Sequence, residues 1–160
     1  MKKLVKLFGF ALVAMVLFAG CGKKDKWKGV DQDVTEIKFS DGEWEAEASY
    51  TASIQGASAE VLNFMVFEVK DEKVTVKEGY TETSGTGMDT TKDELDADDL
   101  KDLKDMSQAT FKYQLKWFCA MSGIAMPDDT KFKTNEDKTK YRYYDDKTEY
   151  VETEISFVKQ

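Results

Sequence analysis

The chain reads as an α+β domain, an antiparallel sheet of about six strands with a central helical pair packed on one face. Three observations predict it. From Glu43 the residues alternate, with Trp44, Ala46, Ala48, Tyr50, Ala52 and Ile54 on one face and Glu43, Glu45, Glu47, Ser49, Thr51 and Ser53 on the other. That is the period of a half-buried strand. The middle of the chain, from Thr91 to Ile124, carries helix-start and helix-stop residues, and short alternating runs resume after Pro127.

The elements follow in order. Ile37 and Phe39 make a short strand before the Asp41-Gly42 turn. Leu62–Val69 is a strand apolar enough to be central, and Asp71-Glu72-Lys73 turns it into a third through Val74, Val76 and Tyr80. The small residues Ala46, Ala48 and Ala52 leave room above their face for a helix or a ligand. Thr81–Thr90, rich in Thr, Ser and Gly, reads as a loop. Thr91 and Glu94 then match a capping box, opening a helix from Lys92 to Asp105 that presents Leu95, Leu100, Leu103 and Met106.

Ser107–Ile124 satisfies two periods. Phe111, Tyr113, Leu115, Trp117 and Cys119 alternate as in a strand, whereas Phe111, Leu115, Phe118 and Ser122 follow helical spacing with Tyr113, Trp117 and Met121 beside them. Ser107 as N-cap, Gly123 at the left-handed cap position and Pro127 beyond favour the helix. The strand reading would convert the domain into a small lipocalin-like β-barrel. Thr130–Thr134, a turn at Asn135-Glu136-Asp137, Thr139–Tyr144, a turn at Asp145-Asp146-Lys147 and Thr148–Val158 complete the sheet.

Charge is unevenly placed. Seven lysines against Asp25 give the first 30 residues a net +6, so the remainder carries -14 within a total of -8. A body this acidic repels phosphate backbones, and no nucleic-acid partner is expected. The absence of histidine excludes Ser-His-Asp and Cys-His catalysis and every histidine-containing zinc site.

Lys2, Lys3 and Lys6 precede an apolar run from Leu7 to Phe18, about a dozen residues where a membrane-spanning helix needs roughly 20. The run closes on Leu17-Phe18-Ala19-Gly20-Cys21. This resembles the lipobox of bacterial lipoproteins, with Phe18 standing where that family most often has Leu. The resemblance implies a signal peptide over 1–20, cleavage between Gly20 and Cys21, and diacylglyceryl attachment to Cys21 as a membrane anchor. Gly22 after the cysteine implies sorting to the outer membrane in a cell that has one, and otherwise the outer face of the cytoplasmic membrane. If Cys21 is acylated, Cys119 has no partner for an internal disulfide.

Residues 21–32 read as a lipidated basic tether, with Lys23, Lys24, Lys26, Trp27 and Lys28 membrane-proximal, and 33–160 as one acidic globular domain. The aspartates 89, 93, 96, 98, 99, 102 and 105 supply oxygen ligands of the calcium type but lack the turn glycine and distal glutamate of the known loop. Lys101 and Lys104 among them favour a solvated face, so no metal and no cofactor is expected. Trp117, Tyr141, Tyr143 and Tyr150 are the candidates to stack on a small ligand, against core packing as the simpler account. The functional expectation is a non-catalytic binding or envelope-interaction module whose partner is an envelope protein or small ligand. A lipocalin-like carrier of an apolar ligand and a carboxylate-dependent glycan-active enzyme are the alternatives.

Overall fold

A computed structural model describes residues 26–148 and 150–160. The signal peptide, its cleavage position, Cys21, Lys23 and Lys24 lie outside the described residues. Among those described, no helix is long and apolar enough to cross a membrane.

The α+β class holds. The strands are β1 (Gln32–Asp33), β2 (Gly42–Ile54), β3 (Ala57–Lys70), β4 (Lys73–Gly85), β5 (Met88–Glu94), β6 (Met106–Ser107), β7 (Lys133–Thr134), β8 (Lys140–Thr148) and β9 (Val151–Lys159). Helix α1 (Ala97–Asp102) lies between β5 and β6, and helix α2 (Gln108–Met121) follows β6 directly. All nine strands of the described residues join one antiparallel sheet in the order β1-β7-β8-β9-β2-β3-β4-β5, with β6 added to β4. The sheet is open, with edges at β1 and β5, so the barrel alternative is overturned. Nine strands replace the expected six, because hairpins that looked like loops are paired and two-residue stubs extend the edges.

Strand β2 lies inside the sheet, between β9 and β3. Its alternation buries Trp44, Ala46 and Ala48 while the glutamates between them face the other side. Gln55-Gly56 and Asp71-Glu72 close two-residue hairpins on either end of β3, each with positive φ at both turn residues. On the buried face, Phe39 meets Trp44, Phe67, Phe111, Tyr141 and Phe157 with ring centroids 5.0–6.2 Å apart, all edge-on. Trp44 is fully buried and its indole N–H donates to the Ser40 carbonyl at 2.8 Å.

Ile37 and Phe39 are buried as expected but form no strand. Their backbone groups are taken by side chains instead. Asp129 accepts from the Ile37 N–H at 3.0 Å, Gln108 accepts from the Phe39 N–H at 2.9 Å, and Gln108 donates to the Phe39 carbonyl at 2.8 Å. Lys112, ion-paired to Asp129 at 2.9 Å, donates to the Ile37 carbonyl. The 37–39 segment is thus an extended strap clamped between α2 and the 3-10 turn Asp129–Lys131, which occupies part of the expected Thr130–Thr134 strand.

The helix expected over Lys92–Asp105 is corrected. Thr91 and Glu94 lie in β5, paired to Thr83 and Tyr80, and the loop expected at Thr81–Thr90 is the β4–β5 hairpin. The capping box belongs to Asp96 and Asp99. Asp96 accepts from the N–H of Asp98 and Asp99 at 2.9 Å, and Asp99 accepts from the Asp96 N–H at 3.2 Å. The chain leaves the edge of β4 at Leu95, whose N–H donates to Gly79, forms α1, and rejoins the edge at β6 through Val74–Met106 pairing. A Cβ at Gly79 would lie 2.8 Å from Leu95 Cδ1 and 3.2 Å from the Phe64 carbonyl oxygen, so a larger residue there would push the Leu95 side chain aside.

The helix reading of 107–124 is correct. Ser107 caps the start, accepting from the Thr110 N–H. At the far end Gly123 has φ +77°, its N–H donates to Ala120, and the Ile124 N–H donates to Cys119, closing a Schellman motif. Phe111, Leu115 and Cys119 are buried, and Leu115, Phe118 and Cys119 share a narrow space of about 10 Å³ with Ala46 and Ala48. The room left by the alanines is filled by a helix.

Two boundaries shift. The turn expected at Asp145-Asp146-Lys147 falls inside β8, where the register with β9 slips between Asp145 and Thr148, and Thr148 pairs with Val151. The tether expected to reach Gln32 is docked from Lys26 onward. Lys26 pairs with Glu47 at 3.1 Å, Lys140 donates to the Lys26 carbonyl, and Trp27, expected to be membrane-proximal, is buried beneath the Arg142 guanidinium, 5.1 Å from its ring. Glu47 and Arg142 both pair with Ser156, so residues 26–27 lie on the sheet face opposite α2.

Candidate docking site

The four aromatic candidates do not converge. Tyr141 is buried in the core, its hydroxyl donating to the Lys38 carbonyl at 2.9 Å, and burial pushes that hydroxyl's pKa up. It is not available to stack on a ligand. Tyr143 is half-buried beside Phe132, with its hydroxyl donating to Asp145, and Tyr150 is exposed at the β8–β9 turn. Trp117 alone stands on a helix surface, on α2.

Helix α2 carries two apolar rows. Phe111, Leu115 and Cys119 face the sheet, while Tyr113, Trp117 and Met121 recur every four residues on a solvent-facing edge, 68%, 59% and 68% exposed. Residues four apart on a helix lie one above another. An amphipathic helix needs only the first row to dock on its own sheet. The second row is surplus to folding. Of the chain's three tryptophans, Trp27 and Trp44 are buried, which leaves Trp117 as the exposed one.

Beside this row is a groove of about 320 Å³ between the two helices. Leu95, Leu103 and Phe118 line its apolar wall, Trp117 stands at its rim, and Asp99, Asp102 and Gln114 supply its polar groups. The detour that makes α1 builds the groove, because Leu95 and Leu103 bracket the helix and both turn toward Leu115 and Phe118. Sequence reading set Tyr113, Trp117 and Met121 beside the helical row but missed Asp99, Asp102, Leu95 and Leu103 as one site with it. The available signal was the excess of large apolar residues on α2 over what one buried row requires.

The remaining chemistry is structural. Burial pushes the Cys119 thiol up to about 11, with the Asn63 side chain opposing part of the rise, so the thiol is protonated and inert. Asn63 is buried, accepting from Thr81 at 2.7 Å and Ser122 at 2.9 Å, which ties the C-terminal end of α2 to β3 and β4. Glu45, on the face opposite α2, has its pKa raised by burial and then by the neighbouring Glu47 carboxylate. Asp96 and Asp99 serve the helix cap, and among the described residues no three carboxylate or thiol groups converge as a metal-ligand set.

No family model, no curated protein and no solved structure matches this chain. The functional reading therefore rests on the groove and the exposed row.

Proposed function

We propose that this chain is a non-catalytic binding module, held to the bacterial envelope by lipid on Cys21, whose docking face is the outer row of α2 and the groove beside it. The observation that carries the binding reading is the alignment of Tyr113, Trp117 and Met121, all exposed on one helix edge next to a groove with apolar walls. Contiguous exposed apolar surface of this kind marks interaction sites, and aromatic residues are the side chains that dominate binding energy there. The lipobox-like Leu17-Phe18-Ala19-Gly20-Cys21 supports the anchoring. A carrier of apolar ligands lacks support by comparison, since the sheet is open and the space under α2 is filled by side chains.

Two experiments test the two halves. Cys21→Ala should end incorporation of labelled fatty acid and move the protein from the membrane to the soluble fraction; unchanged fractionation would sink the anchor. A photo-crosslinking residue at position 113 should give a discrete adduct in cells, and the same residue at Lys138, in the β7–β8 turn, should not. Absence of any adduct from positions 113, 117 and 121 would remove the docking face.

A further inference from the structure

We propose that the occupant of this face is a basic amphipathic helix of a partner protein, its apolar residues on the α2 row and groove and its lysines or arginines against Asp99 and Asp102. The inference rests on the binding-module reading above and names the chemistry of the partner. Charge complementarity selects the sign. Residues 96–105 carry five aspartates against Lys101 and Lys104, and the groove is lined by Asp99 and Asp102 but by neither lysine. Asp99 and Asp102, one turn apart, form no ion pair with any described residue. The Trp117 ring beside them offers a π face that attracts a cation, and more so once water is displaced.

Shape selects the class. The row from Tyr113 to Met121 rises about 12 Å along α2, at 1.5 Å per residue, and continues into the groove. A small organic cation would cover only the Trp117 end. A helix laid along the row matches the whole length with anchors one turn apart, the helix-in-groove mode of recognition. The domain carries -14 beyond residue 30, which repels anionic lipid headgroups and sets a membrane surface aside as the occupant. The chain's own Lys26 is held to Glu47 on the opposite sheet face and does not supply this cation.

The test uses tryptophan emission, because Trp27 and Trp44 are buried and a blue shift on binding reports Trp117. The full chain in nanodiscs of zwitterionic lipid is titrated with a tryptophan-free amphipathic peptide of leucine and lysine, against empty nanodiscs. Parallel titrations use the same peptide with glutamate for lysine, and a scrambled sequence of identical composition. The lysine peptide should shift the emission, and Trp117→Phe should abolish the shift. Asp99→Asn with Asp102→Asn, which keeps the capping acceptor and removes the charge, should weaken binding at least tenfold. Glu136→Gln with Asp137→Asn, in the distant β7–β8 turn, should change it less than twofold. The scrambled peptide should bind at least tenfold more weakly and the glutamate peptide not at all.

Equal binding of the lysine and glutamate peptides, or equal losses in the two double variants, overturns the proposal. So does a blue shift on anionic vesicles without peptide. If the glutamate peptide alone binds at Trp117, the docking face stands and its assigned charge is wrong. If no peptide moves Trp117 and no adduct forms at position 113 in cells, both readings fall together.

Discussion

At the scale of single residues, the size and charge of each β2 side chain answer to the face it occupies and to what packs over it. Ala46 and Ala48 are small where α2 sits over them, and Trp44 is large where it packs against Phe39 of the 37–39 strap. On the other face Glu45 is half-buried among Glu43, Glu47 and Glu78, and burial leads the rise in its pKa. The sign of its effect on stability follows. A carboxyl whose folded pKa lies above its unfolded value favours the native state when protonated. Its favourable contribution is fully present below the unfolded pKa and is lost as pH rises through the folded one. Glu45→Gln should therefore raise the melting temperature at neutral pH, and its advantage over the parent should shrink as pH falls toward the ordinary glutamate range. Melting curves of both proteins across that range check it. A parallel pair of curves, with the gap constant in pH, would assign the gain to something other than this carboxyl.

At the scale of elements, Gln108 shows what joins the strap to the body. One amide side chain at the start of α2 satisfies both backbone groups of Phe39, which in turn touches five aromatic rings. Leaving a buried donor or acceptor without a partner costs about 1–3 kcal/mol. Gln108→Ala should destabilise the domain by about 2–3 kcal/mol in urea denaturation, with the loss of protection in hydrogen exchange centred on 37–39. A loss below half a kcal/mol would mean that water replaces both bonds.

Legibility in the sequence divides at this scale. Strand β2 was readable because every second residue from Trp44 is apolar or small, and α2 because its caps are written in Ser107 and Gly123. Hairpin β4–β5 was not, because an edge strand exposed along its whole length carries no apolar period, and Thr, Ser and Gly serve loops and strands alike. Thr91 and Glu94 have the spacing of a cap, yet the helix started five residues later, where Asp96 and Asp99 satisfy the same geometry. The groove was hidden for a related reason. It depends on α1 leaving and rejoining β4, a tertiary path that no local period encodes.

At the scale of the whole molecule, the open sheet has two edges to protect. Strand β1 is only two residues long, and β5 spends its exposed length on Asp89, Lys92, Asp93 and Glu94. Short and charged edges discourage pairing with a second chain. Asp89→Thr with Asp93→Val leaves the fold's contacts nearly intact and removes that protection, so light scattering should show concentration-dependent assembly that the parent lacks. A monomeric double variant at the same concentrations would show that twist or the neighbouring α1 guards the edge instead.

The docking of Lys26 and Trp27 against the sheet reaches furthest. If Cys21 is acylated, five residue steps separate the lipid from a fixed point on the domain, a leash of at most about 18 Å even when fully drawn out. A domain on so short a leash could not roam the space between two membranes; it would orbit close to the bilayer holding the lipid. Lys26 is moored on the sheet face opposite α2, so an acylated Cys21 would put the sheet between the lipid and the groove, with the aromatic row on the far side.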